Sequence, residues 1–306
     1  MSNKGRKLIS FDWAIKKILR SKANFEVLEG FLSELLFEDI TISEILESES
    51  NKNAFDDKQN RLDIKVKNSK DEIVLIEIQY NRELDYLQRI LYATSKTLIE
   101  HIKEGEAYSK ITKVISINIL YFDFGTGDDY IYQGRTSFTG MHTHHVLKLN
   151  AFQTELYKTD KIEKIYPEYY LIKVKNFNDV AKDTLDQWIF FLKNEQVKDG
   201  FQAKGLEKAK EILDYLKCSE QERKEYEAYK ESLHYQASMY ETNYTAAKIE
   251  GRMEGEKIGI IKGEQIGIEK GKFLEKMEMA KSMLTEGMNM KTVSKISGLT
   301  EAQIRF

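Results

Sequence analysis

Two strand-like segments carry acids where a metal ion could use them. RLDIKVK (61–67) puts Leu62, Ile64 and Val66 on one face and Asp63, Lys65 and Lys67 on the other, because side chains alternate along a strand. After the turn NSKDE, EIVLIEIQY (72–80) puts Val74, Ile76 and Ile78 on one face and Leu75, Glu77 and Gln79 on the opposite one. Paired as a hairpin, the two polar faces can converge. Carboxylates on adjacent strands can hold a hard cation through oxygen ligands, and magnesium, which keeps several waters, suits a site with few protein acids. A cation there acidifies or orients a water and stabilises charge on a phosphodiester. Gln79 can aim its amide at the same cation or phosphate. Acids on strand faces are also common with no ligand, and spacing alone leaves both readings open.

The elements that would position these residues follow from periodicity. Residues 11–36 read as a helix broken at 21–24, with Phe25, Leu28, Phe31, Leu32 and Leu35 at helical spacing. ISEILES (42–48) is a strand candidate. A helix is expected from Arg82 to Glu104, capped by Asn81, stopped by Gly105, with Leu84, Leu87, Leu91, Leu98 and Ile102 as its apolar stripe. KVISINILYFDF (113–124) has the continuous apolar character of a buried central strand. DYIYQGRTSF (129–138), HHVLKL (144–149) and EYYLIKVKNF (168–177) are further β signals, and 179–240 is mostly helical in pattern.

The order αβββαβ, with an acid on the second strand and E-x-Q on the third, resembles the PD-(D/E)XK nuclease fold. More closely, the chain resembles the Rpn family of recombination-promoting nucleases and PD-(D/E)XK transposases. The resemblance lies in FDWAIKKIL (11–19), FLSELL (31–36), RLDIKVK, IVLIEIQY, QRILYATSKTL (88–98) and EGEAYSKITKVISINIL (104–120). It implies a restriction-endonuclease-like αβββαβ core with a mixed sheet, followed by a helical C-terminal region. It also implies a magnesium-dependent (or manganese-dependent) endonuclease acting on double-stranded DNA in recombination or DNA mobility. Asp63 and Glu77 would be its metal ligands. Gln79 stands where the superfamily pattern has lysine, offering a dipole in place of a charge. Lys65, on the strand face of Asp63, could supply that charge or be an ordinary solvated lysine. Asp12 matches an acid of the family's first helix and could complete the site or simply favour the helix N-terminus. Glu29 is an alternative from the same helical stretch. Arg89 and Tyr92 match an R-x-x-Y pattern that could contact phosphate or lock the helix on the sheet, packing being the preferred reading for Tyr92.

Composition bounds these readings. The 306 residues are 41% hydrophobic and 32% charged, with 47 basic and 50 acidic side chains giving a net −3, as expected of a globular chain. No apolar run approaches the ~18 residues of a membrane helix, and MSNKGRKLISFDW lacks an apolar signal core, so a cytoplasmic protein is expected. One cysteine, Cys218, excludes an intrachain disulfide and a multi-cysteine zinc site. The net charge hides a basic N-terminus: Lys4, Arg6, Lys7, Lys16, Lys17, Arg20 and Lys22 against Asp12 alone. Lys16, Lys17, Arg20 and Arg89 are the candidate DNA contacts. His142, His144 and His145 (MHTHH) read as a polar strand edge with no third metal ligand, and GTGDD (125–129) as a turn between strands.

The expected divisions are a nuclease domain over 1–177, a helical extension over 178–245, a glycine-periodic segment over 246–272 and a small helical tail over 273–306. Glycines at 251, 255, 259, 263, 267 and 271 keep a strict period of four. Each costs a lone helix about 1 kcal/mol relative to alanine. A tether, irregular turns or a helix packed on a partner copy all fit, the last slightly preferred, which points to a homo-oligomer joined through this region. The tail has the cadence of a helix-turn-helix, but only six residues follow Thr300, too few for a recognition helix. A packing or assembly module is expected. The rival to an active nuclease is a decayed nuclease fold serving as a DNA-binding or assembly scaffold.

Overall fold

The structure is a computed structural model that describes Ser10, Trp13 and residues 25–46, 62–214 and 217–305, with the backbone alone at 62 and 63. The chain divides into two compact units, Met1–Leu233 and His234–Phe306.

The first unit is built on one mixed sheet. Helix α1 (Phe25–Leu36) leads into β1 (Ile42–Leu46), β2 (Leu62–Asn68) and β3 (Ile73–Gln79). Helix α2 (Tyr86–Glu100) then crosses to β4 (Val114–Leu120), reproducing the αβββαβ order. Strands β5 (Ile131–Gly134) and β6 (Glu168–Lys173) complete the six-stranded order β1-β2-β3-β4-β6-β5. The β3–β4 and β4–β6 pairs are parallel and the others antiparallel. The parallel step from β3 to β4 requires a crossover, and α2 supplies it.

Strand alternation gives the sheet two unlike faces. On one, Ile64, Val66, Val74, Ile76, Ile78, Ile115, Ile117, Ile119 and Ile172 are buried in the main core. Helix α1 covers this face with Phe25, Val27, Leu28, Phe31, Leu32 and Leu35. So do helices α4 (Thr184–Asn194) and α5 (Leu206–Ile212), which follow α3 (Ala151–Tyr157) in the chain. Asp183 caps α4 by accepting from the Asp186 amide, which explains the start of DTLDQWIFFLKN. Gly30 lets α1 approach the turn before α5. A Cβ on Gly30 would overlap the Lys204 carbonyl, and one on Gly205 would lie 2.6 Å from the Glu26 oxygen.

The other face is polar, and α2 lies on it. Tyr86, Ile90, Thr94 and Thr97 are the buried residues of this helix. Tyr86, Ile90, Leu120 and Phe122 form a small apolar cluster there, with Phe124, Tyr169 and Leu171 packed against it. The first part of the expected apolar stripe points outward: Leu84 is 90% exposed, and Leu87 and Leu91 are exposed too, while Leu98 and Ile102 are half-buried. The helix is also shorter than expected. It starts after Asp85 with no side-chain cap and ends at His101, ahead of Gly105.

Two β signals resolve differently. HHVLKL forms no strand. Thr139 and Val146 make an isolated bridge around a turn in which His144 has φ +58°, so the three histidines sit exposed on a turn and not along a strand edge. DYIYQGRTSF shortens to β5, an edge strand held by ion pairs. Glu168 on β6 accepts from Lys113 at 2.7 Å, Arg135 at 2.8 Å, Gln133 at 2.7 Å and Tyr170 at 2.7 Å.

Helix α6 (Glu220–Thr285) begins in the first unit, where Tyr226 is buried with its ring centroid 5.3 Å from that of Trp13. Its residues from His234 onward belong to the second unit. All six periodic glycines are helical, and a Cβ at any of them would meet open space. In the second unit α7 (Met290–Ser297) and α8 (Glu301–Ile304) follow, capped by Asn289 and Thr300. Val293, Leu299 and Ile304 pack on Ala280. The last of these helices is four residues long. No helix among the described residues is long and apolar enough to cross a membrane.

Two outcomes follow for stability. Gly30→Ala should lower it by about 1–3 kcal/mol, read as a lower urea midpoint at unchanged slope. Burial raises the Glu168 pKa, but the bonds from Lys113, Tyr170 and Arg135 outweigh it and hold the group at about 2 against an ordinary 4.5. A depressed carboxylate pKa stabilises the fold above the unfolded value, and that gain is lost as pH falls from 4.5 toward 2. Glu168→Gln should therefore flatten the fall in melting temperature between pH 5 and pH 2, and should cost about 3 kcal/mol at pH 7 by leaving Lys113 buried without its partner.

Candidate functional site

The polar cluster is assembled from three elements. Strand β2 brings Asp63 directly opposite Glu77 of β3 in the antiparallel register, and residues so opposed share a face. The parallel register places Asn118 of β4 beside Glu77. Helix α2 closes over them along a diagonal: Tyr86 donates to Asn118 Oδ1 at 3.2 Å, Arg89 pairs with Glu77, and Glu100 pairs with Lys65 at 2.7 Å.

Glu77 is buried, its side chain 10% exposed, with the Arg89 Nη2 group against its Oε1. Arg89 Nη1 also donates to Glu83 Oε1 at 2.7 Å. Burial lowers the Arg89 pKa, but the Glu83 hydrogen bond and the charges of Glu77 and Glu83 overcome this and raise it above its ordinary value. The guanidinium therefore stays charged. Its carbon lies 5.7 Å from the centre of the Tyr86 ring, within cation–π range.

Gln79 is buried and its amide orientation is fixed by its neighbours. Nε2 donates to the Asn81 carbonyl at 3.1 Å and to Glu83 Oε1 at 3.0 Å. Both partners are acceptors, so the nitrogen must face them. Oε1 is then turned away, buried with no hydrogen-bond partner among the described residues. A buried acceptor left this way costs about 1–3 kcal/mol, a cost that a bound cation or water removes. This orphaned oxygen two residues from Glu77, with Asp63 across the register, fits a hard cation seeking oxygen ligands. Among the described residues no group of three or more histidine, cysteine or acidic side chains is arranged to hold a metal; the Asp63 side chain and all of Asp12 lie outside them.

The structure distributes the candidates unevenly. Asp63, Glu77 and Gln79 come to adjacent strands on one face. Lys65 is on that face too, its side chain 11% exposed and its ammonium held by Glu100. Asp12, Lys16, Lys17 and Arg20 lie outside the described residues. Glu29 belongs to the other side of the sheet, where it accepts from the Ile42 amide at 2.8 Å and joins α1 to β1. Tyr92 does not pack; it is 70% exposed. Cys218 is buried in the main core, as an inert thiol would be. Glu83 was not singled out by the sequence reading. The signal was there in the alternation Glu77, Gln79, Asn81, Glu83, which carries polar residues past the end of β3.

A mixed sheet with an αβββαβ core and an acid pair across its second and third strands defines a restriction-endonuclease-like protein. The family model described as PD-(D/E)XK nuclease family transposase matches residues 9–243. The chain belongs to that family. No curated protein and no solved structure matches it.

Gln79→Met keeps the side-chain volume but removes the donor to Glu83 and Asn81. Losing that donor costs about 1–3 kcal/mol, but losing the orphaned Oε1 returns a comparable amount, so the urea midpoint should move little.

Proposed function

We propose that the protein is a metal-dependent endonuclease that hydrolyses phosphodiester bonds of double-stranded DNA, in the service of recombination or DNA mobility. The observation that carries this reading is the buried Gln79 Oε1, two residues from Glu77 and without a hydrogen-bond partner among the described residues, on a face shared with Asp63, in a chain of a nuclease-type transposase family.

In this reading Asp63 and Glu77 hold the ion, Mg²⁺ or Mn²⁺, and Asp12 completes the set. The ion supplies Lewis acidity and an acidified water when bound. Gln79 accepts a hydrogen bond from the attacking water through Oε1 or lends that oxygen to the ion, while its Nε2 stays fixed on Glu83 and so is not turned to the phosphate. Lys65, steadied by Glu100, keeps a positive charge on the face of Asp63. Lys16, Lys17 and Arg20 form a basic rim for the DNA backbone, so binding should weaken as salt rises. Copies assemble through the C-terminal region, where six glycines leave the helix surface open to a close partner. A cytoplasmic location belongs to the same reading.

One observation favours the rival scaffold reading: Arg89 already neutralises Glu77. The two separate on plasmid DNA with Mg²⁺ or Mn²⁺. The nuclease reading expects nicking or linearisation that falls at least about 100-fold in Asp63→Ala and Glu77→Ala, the order of loss when a group that stabilises transition-state charge is removed. Cleavage undiminished by either substitution would sink the site. Absent cleavage and absent cation binding by calorimetry, with DNA binding retained, would establish the scaffold.

A further inference from the structure

The Arg89 guanidinium stands at one carboxylate oxygen of Glu77, the acid proposed above to hold the ion. Its Nη2 group is against Glu77 Oε1, and its Nη1 group is 2.7 Å from Glu83 Oε1. Arg89 and Glu77 are nearly enclosed, at 14% and 10% side-chain exposure, while Glu83 is more open at 27%. The same Glu83 oxygen accepts from Gln79 Nε2 at 3.0 Å, so it is held in place independently of Arg89.

Two carboxylates this close, with Asp63 across the register, repel one another unless a positive charge stands between them. Arg89 supplies that charge from α2. It also spans two acids, which a planar, forked guanidinium can do and an ammonium does poorly. Its two anchors are unequal: the one to Glu77 is inside the cluster, and the one to Glu83 is at its rim.

We infer that Arg89 is a resident counter-cation on Glu77 that competes with a divalent ion for that carboxylate, with Glu83, braced by Gln79, as the anchor that retains the guanidinium when Glu77 is taken. This rests on the metal reading of Glu77 above. It makes Arg89 a positioning residue that sets cation affinity, and it accounts for an arginine on α2 beside an E-x-Q strand that carries no lysine of its own.

The test is Mn²⁺ titration of the full chain by calorimetry, paired with thermal unfolding with and without Mn²⁺. Arg89→Gln removes the competitor and should bind Mn²⁺ about tenfold more tightly than the unsubstituted chain, the size of a one-unit change in local electrostatics. Without metal it should melt lower, and Mn²⁺ should raise its melting temperature more than that of the unsubstituted chain. Arg89→Lys keeps the charge on one anchor and should fall between the two. If Arg89→Gln does not fold, Arg89→Lys alone decides, tighter Mn²⁺ binding being required. A merely structural arginine would leave Mn²⁺ binding unchanged or weaker after substitution, and that result overturns the inference. Should Glu77→Gln abolish Mn²⁺ binding while the Arg89 variants leave it unchanged, the inference alone fails. Should no protein, unsubstituted or variant, bind Mn²⁺, the metal reading fails and the inference with it.

Discussion

The docking of α2 on the sheet through polar contacts is the constraint on which the rest of the site depends. An amphipathic helix ordinarily buries its apolar stripe. Here Tyr86, Arg89 and Glu100 meet Asn118, Glu77 and Lys65 in turn, and Leu84, Leu87 and Leu91 face outward. Burying charge is costly unless every charge is met, so such an interface tolerates few registers of helix on sheet. A one-residue rotation of α2 would leave Glu77 without Arg89 and Lys65 without Glu100 at once. The apolar contribution from Tyr86, Ile90, Leu120 and Phe122 holds the helix down, while the ion pairs choose where it sits.

The two faces of the sheet divide the labour. The face under α1, α4 and α5 is filled by isoleucine and valine side chains and provides the stability. That surplus permits a second face carrying Glu77, Gln79, Ser116 and Asn118, all buried. Asn118 shows how closely such a face must be satisfied: its amide nitrogen donates to the Tyr170 carbonyl at 3.2 Å and to Ser116 Oγ at 3.1 Å, and its oxygen accepts from Tyr86. Against that pairing, Gln79 Oε1 and Thr94 Oγ1 of α2 are buried without a hydrogen-bond partner among the described residues. An unmet acceptor in such a layer is a recurrent mark of a place where a ligand completes the structure.

What could be read from the residues alone was whatever period two governs. The β2–β3 hairpin, its faces and the placing of Asp63, Glu77 and Gln79 on one face of adjacent strands follow from alternation and one turn, with no knowledge of distant residues. The central strand β4 was legible from its apolar run, and the helix-glycine-helix cadence of the tail from its caps. The side of α2 that meets the sheet was not legible, because the stripe rule presumes that the sheet offers an apolar face. Whether it does depends on what covers the opposite face. The strand expected at HHVLKL failed for a related reason: β propensity in an exposed segment has no neighbour to pair with, and His144 turns the chain instead. The clasp between Lys113 and Glu168 joins residues 55 apart, a pairing that no local pattern carries.

Arg89 shows most plainly how a site residue escapes a motif. In the sequence it is a basic residue on a helix, equally suited to phosphate or to packing. Its environment is set by Glu77 on one element and Glu83 in the segment that follows β3, brought together only when the crossover closes. A lysine two residues after Glu77 would reach the cluster from the strand and would vary with the strand's own pleat. A guanidinium delivered from α2 ties the charge of the site to the seating of the helix. Any change that loosens α2 must then alter the charge at Glu77 as well, so helix packing and the electrostatics of the acid pair are one variable in this fold and not two.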